Sequence, residues 1–429
     1  MIPNPMAYSV VHVVAQESLA DLIAPQVIDP MRLQARTNGL RRPDHVVVLF
    51  LEPARVAVRR RMWRRLAALR ARAPEVSVLL HAFVGRLGIQ RNSWALAKRL
   101  RRLLKGSRIV FHCRGETAVE WAAAVQEHLR DAAIVADIRG AWPEEFLFAR
   151  GFDGPGTADA ASRAAYDVLM QRLRDALLRS GRVLSVSPGM LEWLKRQGAS
   201  DTQLAYVPCC VRGVTFDLAA RAQVRETLGL RDSVVITYIG TLGRYQHIED
   251  GVVPFVHAMI DAGPDVHFLA LVPEPTRLRS ILHDNGVPAQ RVTVLHAAQS
   301  DVANYLGAAD AGLLLRAPSR MNAFSQPTKL GEYLSAGLPV IVSRGTGAVD
   351  QMIEKNGAGF VVDVFNVPPV RIASEAKRVL MGLRLHGEEL RRNALALCAR
   401  EFQWSAYTER VREAYAGALT ASLSEKVLV

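Results

Sequence analysis

Lys329 and Glu332 stand three residues apart in the run Ser325-Gln-Pro-Thr-Lys-Leu-Gly-Glu-Tyr-Leu-Ser-Ala-Gly-Leu-Pro-Val-Ile-Val-Ser343. The spacing predicts a short helix and then a buried strand. Pro327 suits a first helical turn, and Leu330, Tyr333 and Leu334 share one apolar face. Gly337 is a natural stop, and Pro339-Val-Ile-Val reads as the strand. A helix start that exposes the N–H groups of Thr328 and Lys329 beside a lysine ammonium has the chemistry of an anion site. A Lys/Glu pair at this spacing is also what a solvated helix face carries, so spacing alone leaves both readings open.

Three other stretches carry candidate chemistry. In Tyr238-Ile-Gly240-Thr241-Leu-Gly243-Arg244 the glycines follow a strand and would let backbone N–H groups approach a phosphate. A plain strand-to-helix turn has the same composition. In the first half, Phe111-His112-Cys113-Arg114-Gly115 and Ala136-Asp137-Ile138-Arg139-Gly140 both follow strands. Histidine and arginine there are candidate ligands for a hydroxyl and an oxyanion, the alternative being that Asp137 and Arg139 serve structural ion pairs. No Ser/His/Asp triad, Walker loop, zinc spacing or Asp-x-Asp pair emerges. Cys113, Cys209, Cys210 and Cys398 form no metal spacing and fit a reducing compartment.

The elements that must position these residues are strands alternating with helices. Tyr8–Val14, Val46–Leu51, Val76–Leu80, Ile109–His112, Ala133–Asp137, Val183–Val186 and Leu204–Val207 read as strands of one parallel sheet. After Pro208 the pattern restarts with Val234–Ile239, Val266–Leu271, Val292–Leu295, Gly312–Leu315, Pro339–Val342 and Gly359–Val362. The fold class is therefore α/β, with two doubly wound domains. Residues 1–212 form the first, 213–402 the second, and 403–429 a terminal segment whose Trp404–Leu419 stretch is an amphipathic helix. The formal net charge of +13 belongs entirely to residues 1–212, and residues 32–108 hold 20 basic and three acidic side chains. Such asymmetry points to an anionic partner for the first half.

The run Ser325-x-Pro-x-Lys329-x-x-Glu332-Tyr-Leu-x-Ala-Gly337-x-Pro339-Val-Ile resembles the donor-nucleotide segment of GT-B glycosyltransferases, family 4 in particular. The resemblance implies two Rossmann-like domains facing across a cleft, with the terminal helix crossing back to the first. It implies a nucleotide-diphosphate-sugar donor, transfer with retention, no metal and no other cofactor. Lys329 and the helix start would hold the diphosphate together with Arg244, and Glu332 the ribose hydroxyls. Gly240, Thr241, Gly243, Ser325 and Thr328 would complete the donor site, and the backbone at His296 and Ala298 would hold the base. His112 would act at the reacting sugar, and Arg114, Asp137 and Arg139 would line the cleft on the acceptor side. Two positions depart from the family pattern: Phe324 stands where a sugar-contacting glutamate is usual, and Gln246-His247 replace a lysine-glycine pair. A silent nucleotide-sugar-binding subunit and an epimerase of the same fold are the alternative readings.

The expected acceptor is a lipid-linked glycan or a surface-polysaccharide precursor. Basic helices read at 53–72 and 92–105 allow either docking on an anionic membrane or a solvated face. No nucleic-acid module is present. No apolar run is long enough to span a bilayer and no secretory signal is evident, so the expected location is the cytoplasm, peripheral to the inner membrane face.

Overall fold

The computed structural model describes residues 8–15, 24–31, 33, 46–51, 67, 71, 76–82, 85–104, 107–129, 131–213, 215–298 and 301–427. The chain divides into two compact units, Met1–Pro208 with Trp404–Val429, and Cys209–Gln403. The division at Pro208 falls slightly before the expected boundary at 212.

The first unit is built on seven parallel strands: β1 (Tyr8–Ala15), β2 (Val46–Leu51), β3 (Ser77–Ala82), β4 (Arg108–Arg114), β5 (Ala132–Ile138), β6 (Arg182–Ser185) and β7 (Leu204–Tyr206). Their order is β3-β2-β1-β4-β5-β6-β7. The second unit has β8 (Val234–Ile239), β9 (Val266–Leu271), β10 (Val292–Leu295), β11 (Ala311–Leu314), β12 (Val340–Ser343) and β13 (Gly359–Val362), ordered β10-β9-β8-β11-β12-β13. Parallel sheets covered on both faces need strands that are apolar throughout. Ala132–Ile138 and Val235–Ile239 are buried throughout and apolar apart from Asp137 and Thr237. Helices between the strands start on side-chain caps: Asp159 accepts from Ser162 N, Ser187 from Met190 N and Asp217 from Ala219 N. Each cap satisfies an N–H that the helix itself leaves without a partner.

Two expectations about the basic helices need comment. The stretch 53–72, with Arg59, Arg60, Arg61 and Arg64, lies outside the described residues apart from 67 and 71. The second helix is longer than read, Gly85–Leu104, and Leu103 is not an inward residue. Ser93, Leu96, Ala97, Leu100 and Leu104 are buried, while Leu103 is 49% exposed. The buried arc is centred on Ser93, Ala97, Leu100 and Leu104, which places Leu103 beyond its edge.

The terminal helix, Thr408–Val427, belongs to the first unit and packs across β5 and β6. Its approach requires a glycine: a Cβ on Gly181 would lie 2.9 Å from the Ala418 Cα. Arg108 Nη2 donates to Leu419 O at 2.9 Å and Ser422 Oγ to Ala132 O at 3.2 Å.

Glu116 opens the Glu116–Gln126 helix with its side chain buried. Burial raises its carboxyl from the usual 4.5 to about 7; Glu145 adds to the rise and Arg172 opposes it. A carboxyl that is more basic in the folded chain contributes full stability below the unfolded value and loses it as pH rises through the folded one. Wild-type stability should therefore fall between about pH 4.5 and pH 7, by as much as about 3 kcal/mol. Glu116→Gln should flatten that decline and raise the melting temperature at pH 8 more than at pH 5. Parallel pH–melting curves for the two proteins would refute this assignment.

Candidate functional site

In a doubly wound sheet, ligands bind outside the carboxyl ends of the strands where strand order reverses. In the second unit that point lies between β8 and β11. Gly240 follows β8 with φ +123°, and a Cβ there would come 3.3 Å from Lys329 Nζ. The lysine reaches this loop from the Thr328–Ser335 helix. Pro327 is the cap residue of that helix, one position earlier than read, and Gly337 takes the left-handed conformation expected of a stop.

Lys329 is buried, so the solvated-face reading does not apply to it. Its ammonium donates to Gln246 Oε1 at 2.8 Å and sits 4.1 Å from the centre of the Tyr238 ring. Gln246 thus gives the departure from the family pattern a role, as the partner of the lysine. Burial pushes the Lys329 ammonium well below its ordinary value; the Arg316 guanidinium adds to this and Glu332 opposes it. Two cations so close, with one neighbouring carboxylate, make this corner electropositive.

Arg316 is the residue the sequence reading missed. It follows β11, is buried, and its Nη1 donates to Ser325 Oγ at 3.1 Å and Asn322 Oδ1 at 3.4 Å. Its guanidinium lies 5.4 Å from the Tyr245 ring centre. The signal that could have found it is its place, directly after a strand at the reversal point.

Tyr333 ties this corner to the sheet. Its hydroxyl accepts from Ile239 N at 3.0 Å and donates to Leu313 O at 3.1 Å. The ring rests on Gly312, where a Cβ would collide with it.

The other expected residues scatter. Thr241 is exposed, and its Oγ1 is 3.3 Å from the Tyr245 hydroxyl; Gly243 is half-buried under the same ring. Thr328 and Glu332 are half-buried on the lysine's helix. Arg244 is exposed at the start of the Arg244–Gln246 turn, so Arg316 is the better-placed arginine. His296 and Ala298 are exposed just after β10. Phe324 is buried at the end of the Arg320–Phe324 helix.

In the first unit the reversal lies between β1 and β4. His12 and His112 are register partners on these strands, and their rings stack 4.6 Å apart. Arg114 and Asp137 are register partners on β4 and β5. Asp137 Oδ2 accepts from Arg139 Nε at 2.9 Å and lies 3.3 Å from His112 Nε2 and 3.9 Å from Arg114 Nη1. Burial alone would raise the Asp137 carboxyl, but Arg139, then His112 and Arg114, hold it well below the usual carboxylate range. His112 Nδ1 is 2.9 Å from the Tyr415 hydroxyl of the terminal helix. His112 therefore sits inside its strand, under a helix, rather than at the strand end. Among the described residues no group of histidine, cysteine or acidic side chains could hold a metal ion.

Residues 316–372 match the glucosyltransferase 3-like, C-terminal domain family. The chain resembles the alpha-D-kanosaminyltransferase of Streptomyces kanamyceticus, 24% identical over 388 residues that span 86% of this chain and 94% of that protein. The structure of Anabaena HepE in complex with UDP superposes with a TM-score of 0.66 at 14% identity, covering 95% of this chain and 99% of that one. The sucrose-phosphate synthase of Thermosynechococcus elongatus gives 0.66 at 15% identity, covering 96% and 100%. The fold is GT-B. The second unit carries the family match from Arg316 onward.

In this GT-B chain the depressed lysine gives a pH test. An anion bound beside Gly240 would favour the charged lysine, so binding should take up a proton and weaken as pH rises through the lysine's lowered value. Calorimetry with inorganic pyrophosphate in buffers of different ionisation enthalpy should show that uptake. Lys329→Ala should remove it and weaken binding roughly tenfold to a hundredfold, as for a charge-assisted contact of about 1.5–3 kcal/mol. Equal affinity in the two proteins would dismiss the lysine as a ligand.

Proposed function

We propose that this chain is a glycosyltransferase that moves a sugar from a nucleotide-diphosphate-sugar to an acceptor. The observation that carries the reading is the convergence of Lys329 and Arg316 on the glycine loop after β8. Such a corner suits a diphosphate: two cations, a close-approach glycine and a helix start. The UDP complex of HepE and the kanosaminyltransferase resemblance support a nucleotide-sugar donor. Glu332, one turn along from Lys329, is assigned to the ribose hydroxyls.

The chemistry centres on the leaving group. Breaking the bond between the anomeric carbon and the diphosphate oxygen develops negative charge, which Lys329 and Arg316 offset. The acceptor hydroxyl attacks on the face the diphosphate leaves, its proton passing to the departing phosphate oxygen, so configuration is retained as in family 4. Turnover is proposed to be metal-independent, positive side chains taking the part of the ion. Incubation with a panel of nucleotide-sugars and lipid extract should release nucleoside diphosphate in EDTA as in buffer. Glu332→Gln should weaken donor binding at an unchanged melting temperature. Binding without turnover across the whole panel would favour a silent subunit, and loss of turnover in EDTA with recovery on added magnesium would end the metal-free mechanism.

The acceptor is proposed to be lipid-linked and reached at an anionic membrane surface, with the protein in the cytoplasm. No helix among the described residues is long and apolar enough to cross a membrane. The Gly85–Leu104 helix instead offers a basic face with Trp94 55% exposed and Lys98 Nζ 4.9 Å from its ring centre. Exposed charges of this kind are screened beyond about 8 Å at physiological ionic strength, so adsorption should weaken with salt. Trp94→Ala with Lys98→Glu and Arg102→Glu should abolish sedimentation with anionic vesicles while pyrophosphate binding persists. A wild-type protein that ignores such vesicles at low salt would end the membrane reading.

A further inference from the structure

Both cations of the second unit's corner are met by consecutive residues of a single short turn. Gln246 Oε1 accepts from the Lys329 ammonium at 2.8 Å, and the Tyr245 ring centre lies 5.4 Å from the Arg316 guanidinium. Lys329 and Gln246 are each buried, at 6% and 5% exposure. An ammonium enclosed this way offers an incoming anion little access until one of its neighbours moves. Tyr238 is a poor candidate for that movement. It sits inside β8 at 1% exposure, and its hydroxyl donates to Thr241 O at 2.6 Å.

The turn is better suited to move. Arg244–Gln246 is three residues long, closed by Gln246 N donating to Gly243 O at 2.8 Å and His247 N to Arg244 O at 3.2 Å. At its start Tyr245 lies down on Gly243, where a Cβ would come 2.9 Å from the ring. At its end His247 takes φ +49°, a left-handed conformation that, outside glycine, only Asn366 shares among the described residues. Such a backbone is strained and persists only where its surroundings hold it. Those surroundings lie downstream. His247 Nδ1 is 2.8 Å from Asp250 Oδ2, its ring packs on Phe365 at 5.2 Å, and its carbonyl accepts from Gly251 N and Val252 N. The turn therefore runs between a glycine and an anchored, strained residue, with its two middle side chains on the cations.

We propose that Gly243–His247 is a strap that an incoming phosphate opens, its oxygens replacing the Gln246 amide on Lys329 and the Tyr245 ring on Arg316. Naming phosphate as the ligand rests on the glycosyltransferase reading. The amide oxygen and the ring face are neutral, and a hydrogen bond from a cation to an ionised oxygen is roughly twice as strong as a neutral one. Exchange therefore favours phosphate, whereas a sugar hydroxyl gains nothing by displacing an amide. The strap selects for anions.

Calorimetry with inorganic pyrophosphate on the full chain, at about pH 6 to favour the charged lysine, tests this. Gln246→Ala should bind about two- to tenfold more tightly, the worth of a neutral hydrogen bond that no longer has to be exchanged. Gln246→Glu sets a carboxylate on the ammonium and should weaken binding by about tenfold or more. Should Gln246→Ala fail to fold, Gln246→Met keeps the volume, offers only a weak thioether acceptor and should show the same tightening. Amide hydrogen exchange over 244–247 should quicken when the wild-type protein binds pyrophosphate, as the turn's two N–H bonds open; a fixed site would slow it. Weaker binding in whichever of Gln246→Ala and Gln246→Met folds, or exchange slowed by pyrophosphate, overturns the strap and leaves Gln246 a fixed support. The phosphate reading fails on a separate measurement, unchanged pyrophosphate affinity in Lys329→Ala, so the two failures are told apart.

Discussion

The second unit is organised around an ammonium group that the fold takes out of water. Burying Lys329 costs desolvation free energy, which one amide oxygen and one aromatic face offset only in part, and its depressed basicity reports the remainder. Its surroundings follow from that constraint. Residue 240 takes φ +123°, which favours glycine, a Cβ there would lie tight against the ammonium, and Gln246 presents its carbonyl inward. Tyr333, four residues along from Lys329, locks the helix to β8 and β11 through its hydroxyl. A cation held this way is an unfinished interaction, and a phosphate oxygen would complete it.

The same logic recurs in the first unit with different residues. Both sheets reverse strand order beside their first strand, and in both basic side chains collect at that place. The reversal makes the location, because diverging crossovers leave the strand ends uncovered there. The side chains make the sign. In one unit a lysine on a helix and an arginine after a strand supply it; in the other, two arginines share one aspartate.

The strands were legible because sheets buried on both faces write themselves as apolar runs, and Val234–Ile239 could hardly be anything else. The glycine loop and the lysine helix were legible because spacing and family pattern agreed there. Three things were not. The inward turn of Lys329 depends on Gln246 and Tyr238, eighty or more residues away, and local periodicity has no access to such partners. Arg316 is two residues after β11, where a pattern search sees only a loop. His112 read as a strand-end ligand, but its neighbours are His12 and Tyr415, the latter 303 residues away in sequence.

Phe324 brings these points together. The family resemblance puts a carboxylate at this position, beside Ser325 and therefore beside Arg316. A glutamate there would have supplied a second acidic neighbour for the arginine and drawn down the positive charge of the corner. A buried phenyl ring stands there instead, and Arg316 Nη1 donates to the neutral oxygens of Ser325 and Asn322. Neutral acceptors orient an arginine without cancelling its charge. On the proposed reading this places the burden of donor recognition on the diphosphate, since position 324 offers no carboxylate to a sugar hydroxyl.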